Sequence, residues 1–304
     1  MPSPEQDVRV RAATPADDDS VLAVLAHGYG RAFTPEWLQW KHRDSPWGPS
    51  RCWIAEDDAG SLGVVFGLAW RLEWEGNDVP AWRLVDGATT PRAQRRGVFR
   101  RVVAAELAAA ATPPGIVIAT ATPEARDAHV KNGAAALDPI SSQHRPVMWR
   151  PAAVQSDAAV LESWRPPDAS SSLHTRWDAG ALRWRLDPRS GIVYFASRLA
   201  QCDRPHGVVH RLVSQHGLRT LVITAQWGDP ADVAKLIAAL TRRDKAVSVL
   251  APAGPGAVAK RARLAWSRGN SLLCVWSDTT APWTTAAVSI QGWALDGLTL
   301  EGVI

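Results

Sequence analysis

Cysteine, methionine, phenylalanine and tyrosine are all scarce in this 304-residue chain. It has three Cys, two Met, four Phe and two Tyr. Cys52, Cys202 and Cys274 are far apart and form no CxxC pair, which argues against a zinc ribbon and a disulfide framework; no metal site is expected. No run approaches the ~18 apolar residues that span a bilayer, so no membrane role is expected. The N-terminus lacks a basic segment followed by an apolar one, which predicts a cytoplasmic protein. Nor is there a basic block with interleaved aromatics, and 34 Lys and Arg against 30 Asp and Glu leave a net charge of only +4. That balance suits a polyanionic small ligand better than nucleic acid. What is abundant is tryptophan, at sixteen residues. Trp offers a flat apolar face and one N–H donor, a fit for bulky ligands as well as for core packing. The length favours two domains over one.

Taken in order, Val8–Ala13 alternates as a half-buried strand. Thr14-Pro15 and Thr34-Pro35 each read as an N-cap followed by Pro at the first helical position. Three strands follow over Arg51–Glu56, Leu62–Glu75 and Ala81–Thr89, separated by the turns Asp57-Asp58-Ala59-Gly60 and Glu75-Gly76-Asn77-Asp78. A helix is expected over Phe99–Ala111, a strand over Ile116–Thr120, a helix opening at Thr122-Pro123 and closing at Asn132-Gly133, and a strand within Ile140–Trp149. Residues 151–175, with Pro166-Pro167 and Ser170-Ser171-Ser172, read as a linker.

The second half echoes the first. Leu38-Gln39-Trp40-Lys41 recurs as Leu182-Arg183-Trp184-Arg185, each inside a short helix followed by Pro, Gly and a strand. Strands over Ile192–Ser197, Gly207–Ser214 and Arg219–Thr224, a helix over Pro230–Arg242, a strand over Ala246–Leu250, a helix over Gly256–Ser267 and a strand over Ser271–Trp276 complete the series. One α/β unit in tandem is the expectation, with domains at 1–150 and 176–304.

The third strand of the first copy runs into Gln94-Arg95-Arg96-Gly97-Val98-Phe99, and that turn opens a helix. The free N–H groups at a helix start, its dipole, and Arg95, Arg96, Arg100 and Arg101 favour a phosphate there. In the second copy the corresponding stretch reads Gln226-Trp227-Gly228-Asp229-Pro230, where Asp229 would repel phosphate.

Element order and this Gln-x-x-Gly turn resemble the GCN5-related N-acetyltransferase (GNAT) superfamily, whose motif is Gln/Arg-x-x-Gly-x-Gly/Ala. Phe99 departs from its last position. The resemblance implies an α/β (α+β) fold of two GNAT-like domains, each a mixed, mostly antiparallel sheet flanked by helices. It also implies acyl-CoA as co-substrate. Backbone at Ala88 and Thr89 would hold pantetheine and the acyl carbonyl, and Gln94, Arg95, Arg96, Gly97, Val98, Phe99 and Arg100 the pyrophosphate. A primary amine would attack the thioester directly. The family's late-helix Tyr, which protonates the leaving thiolate, is replaced by His129. Asp86 is the first candidate for a general base, with Glu73 and Glu75 next; His206 and His210, sharing a strand face, are a further source of one. The second domain would be a degenerate copy on the acceptor side. The layout is similar to lipoglycopeptide (teicoplanin-type) amino-sugar N-acyltransferases, which implies a small-molecule amine acceptor. The alternatives are acetylation of a protein Lys or N-terminus, and a non-catalytic acyl-CoA sensor.

Overall fold

The computed structural model describes residues 8–111, 115–137, 140–146, 151–165, 172–215, 217–252, 266–277 and 280–289. The chain divides into two units. Unit 1 holds residues 1–138, Leu272–Gly292 and Gly302–Ile304; unit 2 holds Pro139–Ser271 and Trp293–Glu301.

Unit 1 runs β1 (Arg9–Ala12), α1 (Asp18–Tyr29), α2 (Pro35–His42), β2 (Arg51–Asp57), β3 (Gly60–Trp74), β4 (Asn77–Thr89), α3 (Val98–Ala110), β5 (Ile116–Ala121), α4 (Pro123–Lys131) and β6 (Ala135–Ala136). The helix starts follow the residues that announce them. The Thr34 hydroxyl accepts from Trp37 N at 3.2 Å and the Thr122 hydroxyl from Ala125 N at 3.3 Å, each with Pro in the first turn. Strands β1 to β4 form an antiparallel meander. Glu75 and Gly76, both with positive φ (51° and 74°), make the two-residue turn between Trp74 and Asn77. β4 and β5 are parallel, joined through α3.

Successive residues on a strand face opposite ways. Gly87 of β4 meets Phe99 of α3, while Ala88 meets Gly28 of α1, so the two helices cover opposite faces. Val21, Val24 and Leu25 are buried on α1, and Val98, Val102 and Val103 on α3 pack with Leu62, Val65, Leu84 and Ala119.

Unit 2 also combines strands and helices. Its elements are β7 (Ile140–Pro146), β8 (Val154–Ser156), β9 (His174–Thr175), α5 (Ala179–Arg185), β10 (Phe195–Leu199), β11 (Gly207–Gln215), β12 (Leu218–Trp227), α6 (Pro230–Arg243) and β13 (Ser248–Pro252). β10, β11 and β12 are antiparallel, and β12 pairs parallel with β13 across α6. α5 buries Leu182, Trp184 and Arg185 as α2 buries Leu38, Trp40 and Lys41.

The last strand, β14 (Trp266–Ser277), departs from the expected domain limits. Its residues 272–277 pair with β5 in unit 1, and its residues 266–271 pair with β7 in unit 2. β7 in turn lies antiparallel to β13. The boundary therefore falls near residue 138 rather than 150, and the segment with α7 (Thr284–Ala287) belongs to unit 1. The place beside β5 is filled by residues distant in sequence, which local patterning cannot reveal. The helix expected over 256–267 lies mostly outside the described residues, and 266–267 are strand.

One buried carboxylate ties α3 to the sheet. Glu106 is fully buried over Gly67, where a Cβ would collide with its carboxylate. It accepts from Arg51 Nε at 3.1 Å and from Trp53 Nε1 at 2.7 Å, and the Arg51 guanidinium lies 3.4 Å from the centre of the Trp82 ring. Burial pushes the Glu106 carboxyl up, with Arg51 and Trp53 opposing that shift. Glu106→Ala strands both donors and is expected to cost about 2–4 kcal/mol, read as a lower urea midpoint at pH 7; an unchanged midpoint would remove Glu106 from the core's support.

Candidate functional site

The site begins where a ladder stops. β4 and β5 pair from Ala81–Ile116 to Leu84–Ala119, and no further. β4 continues to Thr89, still paired with Gly63 of β3, while β5 turns away to Ala121. Residues 85–89 of β4 thus have a strand partner on one side only among the described residues. The register with β3 slips in the same place: Val64 faces Ala88 and Phe66 faces Val85. Asp86 and Gly87 therefore stand opposite Val65 alone, a β-bulge, with Asp86 at φ 49°.

β4 delivers the chain to the turn at 90–97. Arg95 and Gly97 both have positive φ (62° and 73°), and Gly97 is the N-cap of α3 with no side-chain cap bond. The N–H of Arg101 reaches Gly97 O at 3.2 Å; the N–H groups before it are the helix's orphan donors. Gln94, Arg95, Arg96, Gly97 and Arg100 are exposed, whereas Val98 is buried and Phe99 half-buried. Not all the basic residues are equivalent. Arg92 is spent on Asp57 at 2.8 Å and on Gly60 O, and Arg96 stands 4.0 Å from the same carboxylate. Arg95 and Arg100 make no ion pair among the described residues. Uncapped donors, glycine at the closest approach and two available guanidiniums fit a pyrophosphate. α6 of unit 2 is built differently. There the Asp229 carboxylate caps the helix, accepting from Ala231 N at 2.8 Å.

Asp86 is buried, on the face toward α2. Its Oδ2 lies 2.5 Å from Lys41 Nζ and 3.1 Å from His42 Nε2, and both partners are buried too. Burial alone would raise the Asp86 pKa; Lys41 and His42 outweigh that, and the carboxyl is held below its ordinary value.

On the other face the Phe99 ring covers Gly87, where a Cβ would come within 2.5 Å of Cε2. Phe99 meets the edge of His129 at 5.6 Å, and His129 meets Trp276 at 5.3 Å. Trp276 Nε1 donates to Asn132 O at 2.9 Å, fixing the end of α4. His129 is 4% exposed and its Nδ1 has no hydrogen-bond partner among the described residues.

Residues 9–130 match the family model of the acetyltransferase (GNAT) domain. Unit 1 carries a GNAT acetyltransferase domain. A search of curated proteins finds no match. Among solved structures, a probable N-acyltransferase of Enterococcus faecalis V583 superposes with a TM-score of 0.64 at 10% identity, over 89% of this chain and 72% of that one. A GCN5-related N-acetyltransferase of Kribbella flavida gives 0.64 at 15% identity, over 88% and 70%. Saccharomyces cerevisiae N-myristoyltransferase with bound myristoyl-CoA gives 0.55 at 10%, over 90% and 83%. The likeness is one of fold, and it extends well beyond the GNAT domain's own residues.

Within that domain the structure brings together Ala88, Thr89 and the 94–100 turn, with Phe99 linking them to His129. His206 lies in unit 2. Both ring nitrogens of His206 are engaged, Nε2 accepting from Leu199 N at 2.9 Å and Nδ1 lying 2.8 Å from Arg204 O. His210 bonds Ser197 Oγ at 2.9 Å and stacks on Phe195. Glu73 and Glu75 sit at the far end of the β3–β4 hairpin. Sequence reading missed the partners of Asp86. Lys41 stood in the Trp-Lys echo, but nothing in the pattern points it at β4. Trp276 was equally hidden, being remote in sequence from His129.

Burial pushes His42, His129 and His210 down from 6.5 to about 4, with Asp86 opposing the shift at His42. Between those values the unfolded chain binds more protons than the folded one. Stability from the neutral rings is full above pH 6.5 and is lost as pH falls through 4. The urea midpoint is expected to fall steadily over that interval, and His129→Phe to flatten the fall. A midpoint constant from pH 7 to 4.5 would contradict this.

Proposed function

We propose that the chain is an acyl-CoA-dependent N-acyltransferase that moves an acyl group by direct attack of a primary amine on the thioester. The observation that carries this reading is the end of the β4–β5 ladder at Leu84–Ala119, followed along the chain by the uncapped helix N-terminus at Gly97. The single-sided backbone at Ala88 and Thr89 holds the pantetheine arm and polarises the acyl carbonyl by oxyanion-type donation. Gln94 to Arg100 hold the pyrophosphate, with Arg95 and Arg100 supplying charge. Acyl-CoA supplies the activated carbonyl and a thiolate leaving group.

His129 acts in its neutral form. With its pKa near 4 it carries no spare proton at neutral pH, so it stabilises the departing thiolate by an N–H hydrogen bond rather than as an imidazolium. Asp86, the expected base, is already bound by Lys41 and His42, and both nitrogens of His206 are in use. Neither takes the amine's proton in this reading; the acceptor arrives as the free amine from solvent, and the proton its nitrogen gives up on forming the amide passes to the departing thiolate, which leaves as the thiol.

Unit 2 is a degenerate copy in this reading, and it holds no coenzyme. Asp229 occupies with its own carboxylate the helix start that α3 leaves open. The acceptor is a small-molecule amine, in the finest form an amino sugar of a glycopeptide-like natural product. Support comes from the aromatic contacts between α1 and α2, where Tyr29 meets Phe33 edge-on at 5.6 Å and Phe33 lies tilted 4.6 Å from Trp37.

Gly97→Glu puts charge and a disfavoured left-handed side chain at the anion site; calorimetry should show acyl-CoA binding abolished, and retained binding would sink the assignment. His129→Phe is expected to lower turnover by ~10²-fold with little change in acyl-CoA affinity. An unchanged rate returns His129 to packing alone. Thiol release measured across amines, amino sugars and Lys peptides identifies the acceptor class, and binding without release for any amine would favour a sensor.

A further inference from the structure

The proposed acyl site depends on the path of residues 86–89, and that path is not one a strand adopts unaided. Asp86 has a left-handed backbone, a conformation that few non-glycine residues adopt but that Asp and Asn tolerate better than most. It is the extra residue of the bulge, so the ladder with β3 leaves it without a facing partner. Two contacts replace that partner. Lys41 Nζ stands 2.5 Å from Asp86 Oδ2 and His42 Nε2 3.1 Å from it. His42 is itself fixed, with Nδ1 3.0 Å from Ser50 Oγ and its ring stacked 3.7 Å from Phe66, the β3 residue that borders the bulge. Lys41 also lies 4.9 Å from the centre of the Trp37 ring. The cluster therefore ties α2, β3 and β4 together behind the strand segment that has parted from β5.

We infer that Asp86 is a positioning residue, which through Lys41 and His42 pins the β4 bulge and aims the backbone of Gly87, Ala88 and Thr89. This deepens the acyltransferase reading and rests on it for its chemistry. A charged pair is suited to the task because the alternative is severe. Releasing the bulge would leave a carboxylate or an ammonium buried without its counter-charge, so the pair has one low-energy arrangement. Gly28 of α1 packs closely on Ala88 on the face opposite α3, since a Cβ there would sit 2.5 Å from Ala88 Cβ. The remaining titratable groups that sense Asp86 are Tyr29 on α1 and Cys52 on β2. Burial raises both, and both are neutral near pH 7. No other charged side chain offers to replace Lys41 among the described groups that sense Asp86.

Two kinds of readout test this, one of which needs no activity. The variants are Asp86→Gly, which keeps the left-handed freedom and removes the anchor, and the pair Asp86→Asn with Lys41→Met, which removes both charges so that neither is stranded. In both, backbone amides of 85–89 should exchange with deuterium at least ~10-fold faster than in the parent, while those of 68–72 in the same hairpin stay unchanged. For acyl transfer, kcat should fall at least ~10-fold, KM for acyl-CoA should stay within about twofold, and the pH profile of kcat/KM should keep its shape. Unchanged exchange overturns the inference. So does wild-type kcat in Asp86→Gly, because backbone freedom alone would then suffice. If the acidic limb of the pH profile vanishes in Asp86→Gly but persists in Lys41→Met, Asp86 is a base and the inference fails. Failure of both variants to fold would assign the cluster to global stability instead. Should the parent release no thiol from acyl-CoA, the acyltransferase reading fails separately, and the exchange result still decides whether Asp86 pins the bulge.

Discussion

The architecture of unit 1 turns on a hydrogen-bond ladder that ends early. Parallel β4 and β5 share four residue pairs and then separate, while β4 keeps its antiparallel ladder with β3 to the last residue. Backbone polar groups are costly to leave unmade, so a strand edge left single-sided in a folded domain needs another partner: solvent, side chain or ligand. The bulge at Asp86-Gly87 sits within that segment and the helix turn follows it. Strand separation, bulge and uncapped helix follow one another along the chain, and the turn between them satisfies the N–H groups of Thr90, Ala93, Gln94 and Arg96 internally.

The two units show how little has to change to alter such a place. Both join an antiparallel meander to a parallel strand through one helix, and both bury a Trp and a cation on the short helix before the meander. They differ at the helix start. Gly97 leaves the first N–H groups of α3 open, and Asp229 closes those of α6 with its own carboxylate. A carboxylate and a phosphate compete for the same donors and dipole, so a single acidic N-cap both stabilises a helix and denies it to an anionic ligand.

Buried ionisable groups recur around the sheet of unit 1, and each is held by a distinct device. Glu106 is placed over a glycine and shared between Arg51 and Trp53; Asp86 is placed at a bulge and shared between Lys41 and His42. Among the described residues His129 has neither counter-ion nor acceptor at Nδ1, and burial pushes its pKa down to about 4. These groups add little to net stability, because desolvation offsets most of the attraction, but each fixes a geometry that apolar packing would leave looser. Few of the tryptophans bear on the site directly. Trp40 and Trp70 are wholly core, Trp82 carries a guanidinium on its face, and Trp276 closes the edge of His129.

Element type and order were legible along most of the chain, because alternation, N-caps and turn residues act over a few positions. Thr34, Thr122 and Asp229 announce helices that the structure contains, and Glu75-Gly76 announces its hairpin. The glycine turn that opens α3 was legible for the same reason, its glycine and arginines being consecutive. The strand exchange by β14, the union of Lys41 and His42 with Asp86, and the Phe99–His129–Trp276 contact were not, since each joins residues 30 or more positions apart. Local sequence determined which segments fold as strands or helices and where an uncapped helix start stands among arginines. Tertiary structure alone decided which strands become neighbours and whether a carboxylate is free or bound, because those depend on what long-range burial brings within a few ångströms.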